Sequence, residues 1–216
     1  VQELGDKKTY SLSKSFKIKC VKCGFYDSAL LLDVDNKKIF NLNDCPLNEI
    51  KQLRKFQKEH GICDILLSQF SYAAWKGGKE NLLWRQQAAE EKINTMINQA
   101  LFFSAKIVIP FASYIRFSNT MNYYLNDSAN SPDALIKKIR QDKFKLLFLK
   151  PMEKQNLNEA KQNPQSIEFW KKKYRDINEQ PLITYKKITT IEQLQELYKE
   201  YFERIFKRNS YWIIWL

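Results

Sequence analysis

The sequence predicts an α/β fold in which a mixed sheet, begun as an antiparallel meander, is covered by helices. Two observations carry that prediction. The start of the chain strings together runs rich in aromatic and branched residues through short polar turns, whereas the middle alternates short apolar runs with helical patterns. Glycine and proline are also scarce, five and six in 216 residues, which leaves little chain for long linkers.

The runs "TYSLSKSFKIKCVKC" (9–23) and "FYDSALLLDV" (25–34) read as strands, and "DNKK" (35–38) as a tight turn into a third, "IFNL". After Pro46, the spacing of Leu47, Ile50, Leu53 and Phe56 predicts a helix that stops near Gly61. "CDILLSQF" (63–70) is short and continuously apolar, the pattern of a strand buried on both faces. From Lys79 to Phe103 the chain predicts a long amphipathic helix, with Leu82, Leu83, Ala89, Ile93, Ile97 and Leu101 on its apolar side. "AKIVIPF" (105–111) is another buried strand, "SPDALIKKIRQ" opens with a Ser/Pro/Asp helix start, and "FKLLFL" (144–149) is the last clear strand. Two helices follow, over 165–175 and 190–208.

A hydrophobic content of 44% with 28% charged residues fits a folded domain rather than a disordered chain. The net charge of +12 favours acidic partners: nucleic acid, anionic lipid, or small molecules bearing phosphate or carboxylate. The basic residues are scattered, with small clusters in "IKKIRQDKFK" and "WKKKYR", and no nucleic-acid motif accompanies them, so nucleic acid ranks behind a small anionic molecule. Tyr123 and Tyr124 could stack bases, but read first as core or pocket wall. No apolar run approaches the roughly 20 residues of a membrane span, and no signal peptide is present, so no membrane is expected and the expected location is cytoplasmic. The missing initiator Met and the apolar end at 211–216 lead to the expectation of a chain cut from something longer.

Cys20 and Cys23 form a C-x-x-C, but a structural zinc site needs a second pair and none exists. Strand alternation sends these two thiols to opposite faces, and buried free thiols are the simpler reading. The lone histidine, His60, stands at a predicted helix end and is expected to face solvent or cap the helix.

Polar groups crowd two strand ends. In "NLNDC" the strand breaks at Asn43, Asp44 and Cys45 before Pro46, either as an active-site edge or as a turn and helix start. In "IVIPFASYIRFSNTMNYYLND" a strand breaks at Pro110, and Ser113, Arg116, Ser118, Asn119, Asn122 and Asn126 either line a pocket or bond their own backbone.

Together "DSALLLDVDNKKIFNLNDCPL", "DILLSQFSYAAW" and the segment after Pro110 resemble the C-terminal half of the metallo-beta-lactamase fold. Within that superfamily the likeness is to the branch containing CMP-N-acetylneuraminate hydroxylase and its bacterial relatives, where an Asn-x-Asn-Asp-Cys strand end and a Pro-Phe-Ala-Ser segment recur. The resemblance implies one half of an αββα sandwich over 1–152, with 153–216 as a helical extension packed on the same domain. It implies a role for Asp44 as a metal-side ligand, with Asn43, Cys45, Ser113, Arg116, Asn119, Asn122 and Asn126 around a polar substrate such as an acidic sugar or nucleotide sugar. The His-x-His-x-Asp-His motif of the first half is absent. A divalent metal, zinc or iron, is therefore expected only if a missing N-terminal half supplies the other ligands, and the isolated chain is expected to be inactive. The alternative is a non-catalytic basic module that associates through an exposed sheet face.

Overall fold

The computed structural model describes residues 3–139, 143–184 and 189–209; the apolar end at 211–216 and the last residues of "SPDALIKKIRQ" lie outside them. A seven-stranded sheet runs in sequence order: β1 (Thr9–Ser11), β2 (Phe16–Cys23), β3 (Asp27–Val34), β4 (Lys37–Asn43), β5 (Ile65–Ser68), β6 (Ile107–Pro110) and β7 (Lys145–Leu146). The first four strands pair antiparallel, and β4 through β7 pair parallel. The helices are α1 (Ile50–His60), α2 (Leu82–Phe102), α3 (Pro132–Lys138), α4 (Pro164–Arg175) and α5 (Ile191–Arg208). The fold is thus the expected mixed α/β sheet, its antiparallel meander leading into a parallel half. Among the described residues no helix is long and apolar enough to cross a membrane.

Local chemistry sets the element boundaries. Asp35 and Asn36 both adopt positive φ (48° and 62°), the two-residue turn that matches strand twist between β3 and β4. The single strand expected over 9–23 is two, because the chain bends through Ser13–Ser15 and both Leu12 N and Ser13 N bond the carbonyl of Phe16. α1 begins at Ile50 rather than directly after Pro46. There the Gln52 side chain accepts from the Asn48 and Glu49 backbone N–H groups, satisfying donors that the first turn leaves open.

The helices α1 to α4 pack into one core against one face of the sheet. Val21, Leu31, Phe40, Leu42, Leu66, Val108 and Leu146 of the strands meet Leu53 and Phe56 of α1, Ile93, Met96 and Ala100 of α2, and Leu135 of α3; Ile167 and Trp170 of α4 pack at its margin. Each fully buried aliphatic side chain there contributes about 1.5–3 kcal/mol. Phe40, Phe56 and Phe103 form a ring triad with centroids 5.5–5.9 Å apart, tying β4 to α1 and to the end of α2. His60 corrects its expectation: its side chain is 5% exposed, set edge-on to Phe56.

The buried face of α2 differs from the predicted one. Leu82, Leu83 and Leu101 are exposed, while Arg85, Ala88, Ala89, Ile93, Met96, Gln99 and Ala100 face inward. Two polar side chains occupy that stripe, and both are satisfied. Gln99 accepts from Ser68 Oγ (2.6 Å) and donates to the Leu47 carbonyl (3.1 Å). Arg85, 1% exposed, donates to both Asp127 carboxylate oxygens (2.9 and 2.7 Å) and to the Gly78 and Lys79 carbonyls.

Residues 1–181 and 182–216 form separate compact units. The second contains α5, capped by Thr190 and Gln193, whose Leu194, Leu197, Tyr198 and Tyr201 are each more than half exposed.

The Arg85–Asp127 pair should be a measurable brace. Replacing Arg85 with Ala should cost about 2–3 kcal/mol in urea unfolding, less than a fully buried pair because Asp127 is partly exposed. Its hydrogen bond to Arg85 holds the Asp127 carboxyl below the usual carboxylate range. The advantage of wild type over Asp127→Asn should therefore be full above the ordinary Asp pKa of about 4 and fade as pH falls through the lower folded value. A difference between the two that does not vary with pH would remove the ion pair from the account.

Candidate active site at the strand ends

Because β4, β5 and β6 are parallel, their C-terminal ends share one edge of the sheet, where open α/β sheets offer a crevice for ligands. "NLNDC" ends β4 there. The register with β5 shifts between Asn41 and Asn43, and Asn43 takes positive φ (45°), which turns the chain out of the strand. Asn43 and Asp44 are exposed.

Asp44 is the start of a relay. Its Oδ1 accepts from Gln69 Nε2 at 2.9 Å, and Gln69 Oε1 accepts from Lys92 Nζ at 2.5 Å. The amide orientation follows from chemistry, since a carboxylate only accepts and an ammonium only donates. The relay joins the ends of β4 and β5 to the middle of α2. Lys92 is half-buried, and burial pushes its pKa below the usual lysine range; Lys76 lowers it further, whereas Asp44 and Glu91 raise it.

Cys45, next in the chain, turns inward and is 5% exposed. Its thiol hydrogen-bonds to that of Cys23, which leaves Cys23 the easier of the two to ionise and pushes Cys45 up. The thiol beside Cys45 is that of Cys23; Cys20 lies on the opposite face of β2, as strand alternation requires, and all four cysteines are free thiols. Gly24 makes the approach: a Cβ on it would lie 2.9 Å from Pro46 Cγ, with φ at +68°. Burial pushes Cys63 up to about 12.

The second cluster folds on itself. Ser113, fully buried, accepts from Phe70 N and donates to the Ser71 carbonyl, both at 3.1 Å, so it pins the segment that follows β5. Asn130 holds the same segment, donating to the Phe70 (2.8 Å) and Ala89 (2.6 Å) carbonyls. Arg116 donates to the carbonyls of Ile177, Gln180 and Pro181. Asn119 accepts from Met121 N, Asn122 from Asn119 N, and Asn126 brackets Phe117 through both its N–H and its carbonyl. For these three asparagines the hydrogen bonds are to local backbone. Beside Arg116 lies a cavity of about 300 Å³ walled by Tyr114, Phe169, Trp170 and Tyr174. Trp170 stacks on Tyr114 at 3.8 Å, and among the described residues the buried hydroxyls of Tyr114 and Tyr174 have no hydrogen-bond partner.

The structure thus gathers Asn43 and Asp44 with Gln69 and Lys92, and sends Cys45 into the core. Gln69, Lys92, Gln99 and Asn130 carried no motif: each is a single polar residue in an otherwise ordinary strand, helix or loop. Among the described residues no group of three His, Cys, Asp or Glu side chains stands together as metal ligands. Asp44 alone supplies a carboxylate, one of its oxygens is taken by an amide N–H, and the nearby charge in the relay is an ammonium. Among the described residues the donors at these strand ends do not fit a catalytic zinc or iron site, which needs about three ligands.

No family model matches the chain, and no curated protein matches it. Among solved structures it is similar to CmlA, a diiron beta-hydroxylase from Streptomyces venezuelae, with 9% identity and a TM-score of 0.46 over 67% of this chain and 32% of that one. It is also similar to a putative zinc-dependent hydrolase of the metallo-beta-lactamase superfamily from Thermotoga maritima, with 17% identity and a TM-score of 0.39 over 64% of this chain and 58% of that one. The chain spans about a third of the length of the hydroxylase. Likenesses this distant carry no argument about function.

The relay predicts an ordered titration. By NMR of the lysine side chains, Lys92 should lose its proton at lower pH than the exposed lysines. Asp44→Asn should lower the Lys92 pKa further, because the carboxylate is what raises it. An unchanged Lys92 in that variant would mean the relay is not electrostatically coupled.

Proposed function

We propose that this chain is one layer of a two-layered, metal-dependent enzyme of the metallo-beta-lactamase kind, hydrolase-like and acting on an acidic sugar or nucleotide sugar. The observation that carries the reading is a second apolar face of the sheet, outside the core packed by α1 to α4, on which Ile39 and Ile65 are nonetheless buried. Opposite the helices, the register aligns Ile18 with Leu32 and Ile39, then Ile65 and Ile107, with Leu67 beside Ile109. None of these belongs to the helix-covered core, and Ile18, Leu32, Leu67, Ile107 and Ile109 are only half-buried. Asn41 sits among them with its side-chain oxygen buried and unpartnered. A sheet apolar on both faces is the pattern of an inner layer.

In this reading a second β layer, from a segment outside this sequence, covers that face and brings the remaining metal ligands to the strand ends. Among the described residues Asp44 is the candidate ligand at these strand ends, and when bound the metal would supply a polarised water or substrate oxygen. The chain's own contribution is orientation. Gln69 fixes the rotamer of Asp44, Lys92 places positive charge behind it, and Asn43 lies at the exposed rim for a polar substrate. The net charge of +12 suits an anionic one. By itself the chain should be inactive.

A second reading rests on the same face: two copies could cover each other, giving a non-catalytic basic module. Metal content and sedimentation separate the two. In the enzyme reading the isolated chain binds no stoichiometric zinc or iron, and gains it together with turnover only when the covering segment is supplied; Asp44→Ala then abolishes both. A stable dimer that is unaffected by Asp44→Ala, and that still lacks metal with that segment present, would favour the module.

A further inference from the structure

The open end of the antiparallel meander, away from Asp44, holds a second constellation. α1 ends at Gly61, and past that point no turn of α1 covers β1 to β4. A cavity of about 150 Å³ lies there, its polar wall formed by Thr9, Lys17, Lys19, Asp33, Lys38 and His60, with apolar side chains completing the lining. The sheet register builds it. Thr9 pairs with Lys19, while Lys17 and Lys38 flank Asp33 from the two neighbouring strands. The Lys38 ammonium reaches over the helix end, 3.8 Å from where a Cβ on Gly61 would stand. Lys38 and Asp44 lie six residues apart along β4, about 20 Å, so this cavity is separate from the strand-end site.

Its charges are poorly spent within the chain. Among the described residues, Lys17, Lys19 and Lys38 make no ion pair; Glu59 is engaged with Lys7 at 2.9 Å and Asp6 with the Lys22 backbone at 2.8 Å, which leaves Asp33 as the acid between them. His60 lines both this cavity and a second of about 220 Å³, and among the described residues neither of its buried ring nitrogens has a hydrogen-bond partner, Glu59 being too distant at 3.8 Å.

We propose that this cavity is a binding site for a phosphoryl group, held by Lys17, Lys19, Lys38 and Thr9 with His60 at its floor. Three lysines and a threonine lining one recess outweigh the single carboxylate of Asp33 and repel metal cations. A tetrahedral dianion offers enough oxygens and charge for all of them, whereas a carboxylate would leave cations unmatched. The recess is a pocket rather than a basic stripe, which selects a small phosphorylated molecule or free phosphate over a nucleic-acid backbone.

His60 is the chain's one histidine, so its ring resonances report on the two cavities it lines, and variants of Lys19 and Lys38, which line only this one, assign the response to it. Inorganic phosphate, methyl phosphate and acetate would each be titrated into the full chain at constant ionic strength. We expect a saturable His60 shift with phosphate and none with acetate, and about a tenfold or greater weakening in Lys19→Gln/Lys38→Gln. Lys172→Gln, an exposed charge on α4, should leave the affinity unchanged. Saturation by methyl phosphate as well would identify the group as part of a larger phosphorylated ligand; saturation by phosphate alone would identify the free ion. A linear or absent response, an equal response to acetate, or undiminished binding in a double variant whose melting curve shows it folded would overturn the proposal.

Discussion

The structure depends on β4. It pairs antiparallel with β3 on one side and parallel with β5 on the other. An antiparallel neighbour needs only a tight turn, and Asp35–Asn36 supplies it. A parallel neighbour needs the chain to return to the start of the strand, and α1 is that return. From this switch follows the placement of the functional groups. The ends of β4, β5 and β6 open on one edge, bringing Asp44 to Gln69, and α2, lying across the sheet on its own return path, brings Lys92 to both.

Polar groups inside the core fix how α2 lies. A helix held by apolar contacts alone could slide or rotate with little loss, because dispersion and area burial are not directional. Gln99 bonds at once to Ser68 on β5 and to the carbonyl of Leu47 before α1, and Arg85 bonds to Asp127 and to two carbonyls in the loop before α2. A rotation of α2 would strand all of these groups in the core. The same rigidity sets the depth at which Lys92 meets Gln69. The proposed catalytic edge and the stability of the core thus share one helix.

Much of the strand-end site was legible locally. "NLNDC" announces a strand break with a carboxylate at its tip, and the tip is where Asp44 stands. Its partners were not legible, because Gln69 and Lys92 lie 25 and 48 positions further along the chain and neither belongs to a motif. The asparagines after Pro110 were legible as a cluster but not as structure: Asn119, Asn122 and Asn126 bond the turn they sit in, which spacing alone leaves undecided. The face of α2 was misread because hydropathy ranks Leu82, Leu83 and Leu101 above Arg85 and Gln99. A polar side chain belongs inside when its partners wait there, and partners distant in sequence leave no local trace.

The sequence by itself determined the element types, their order and the mixed sheet, because hydrophobic period, turn residues and helix caps act between near neighbours. The tertiary structure decided what meets what: Cys45 with Cys23, Asp44 with Gln69 and Lys92, and His60 buried against Phe56 rather than turned to water. Those pairings depend on strand register and helix rotation, which the summed packing of the whole core sets and no short stretch of chain encodes.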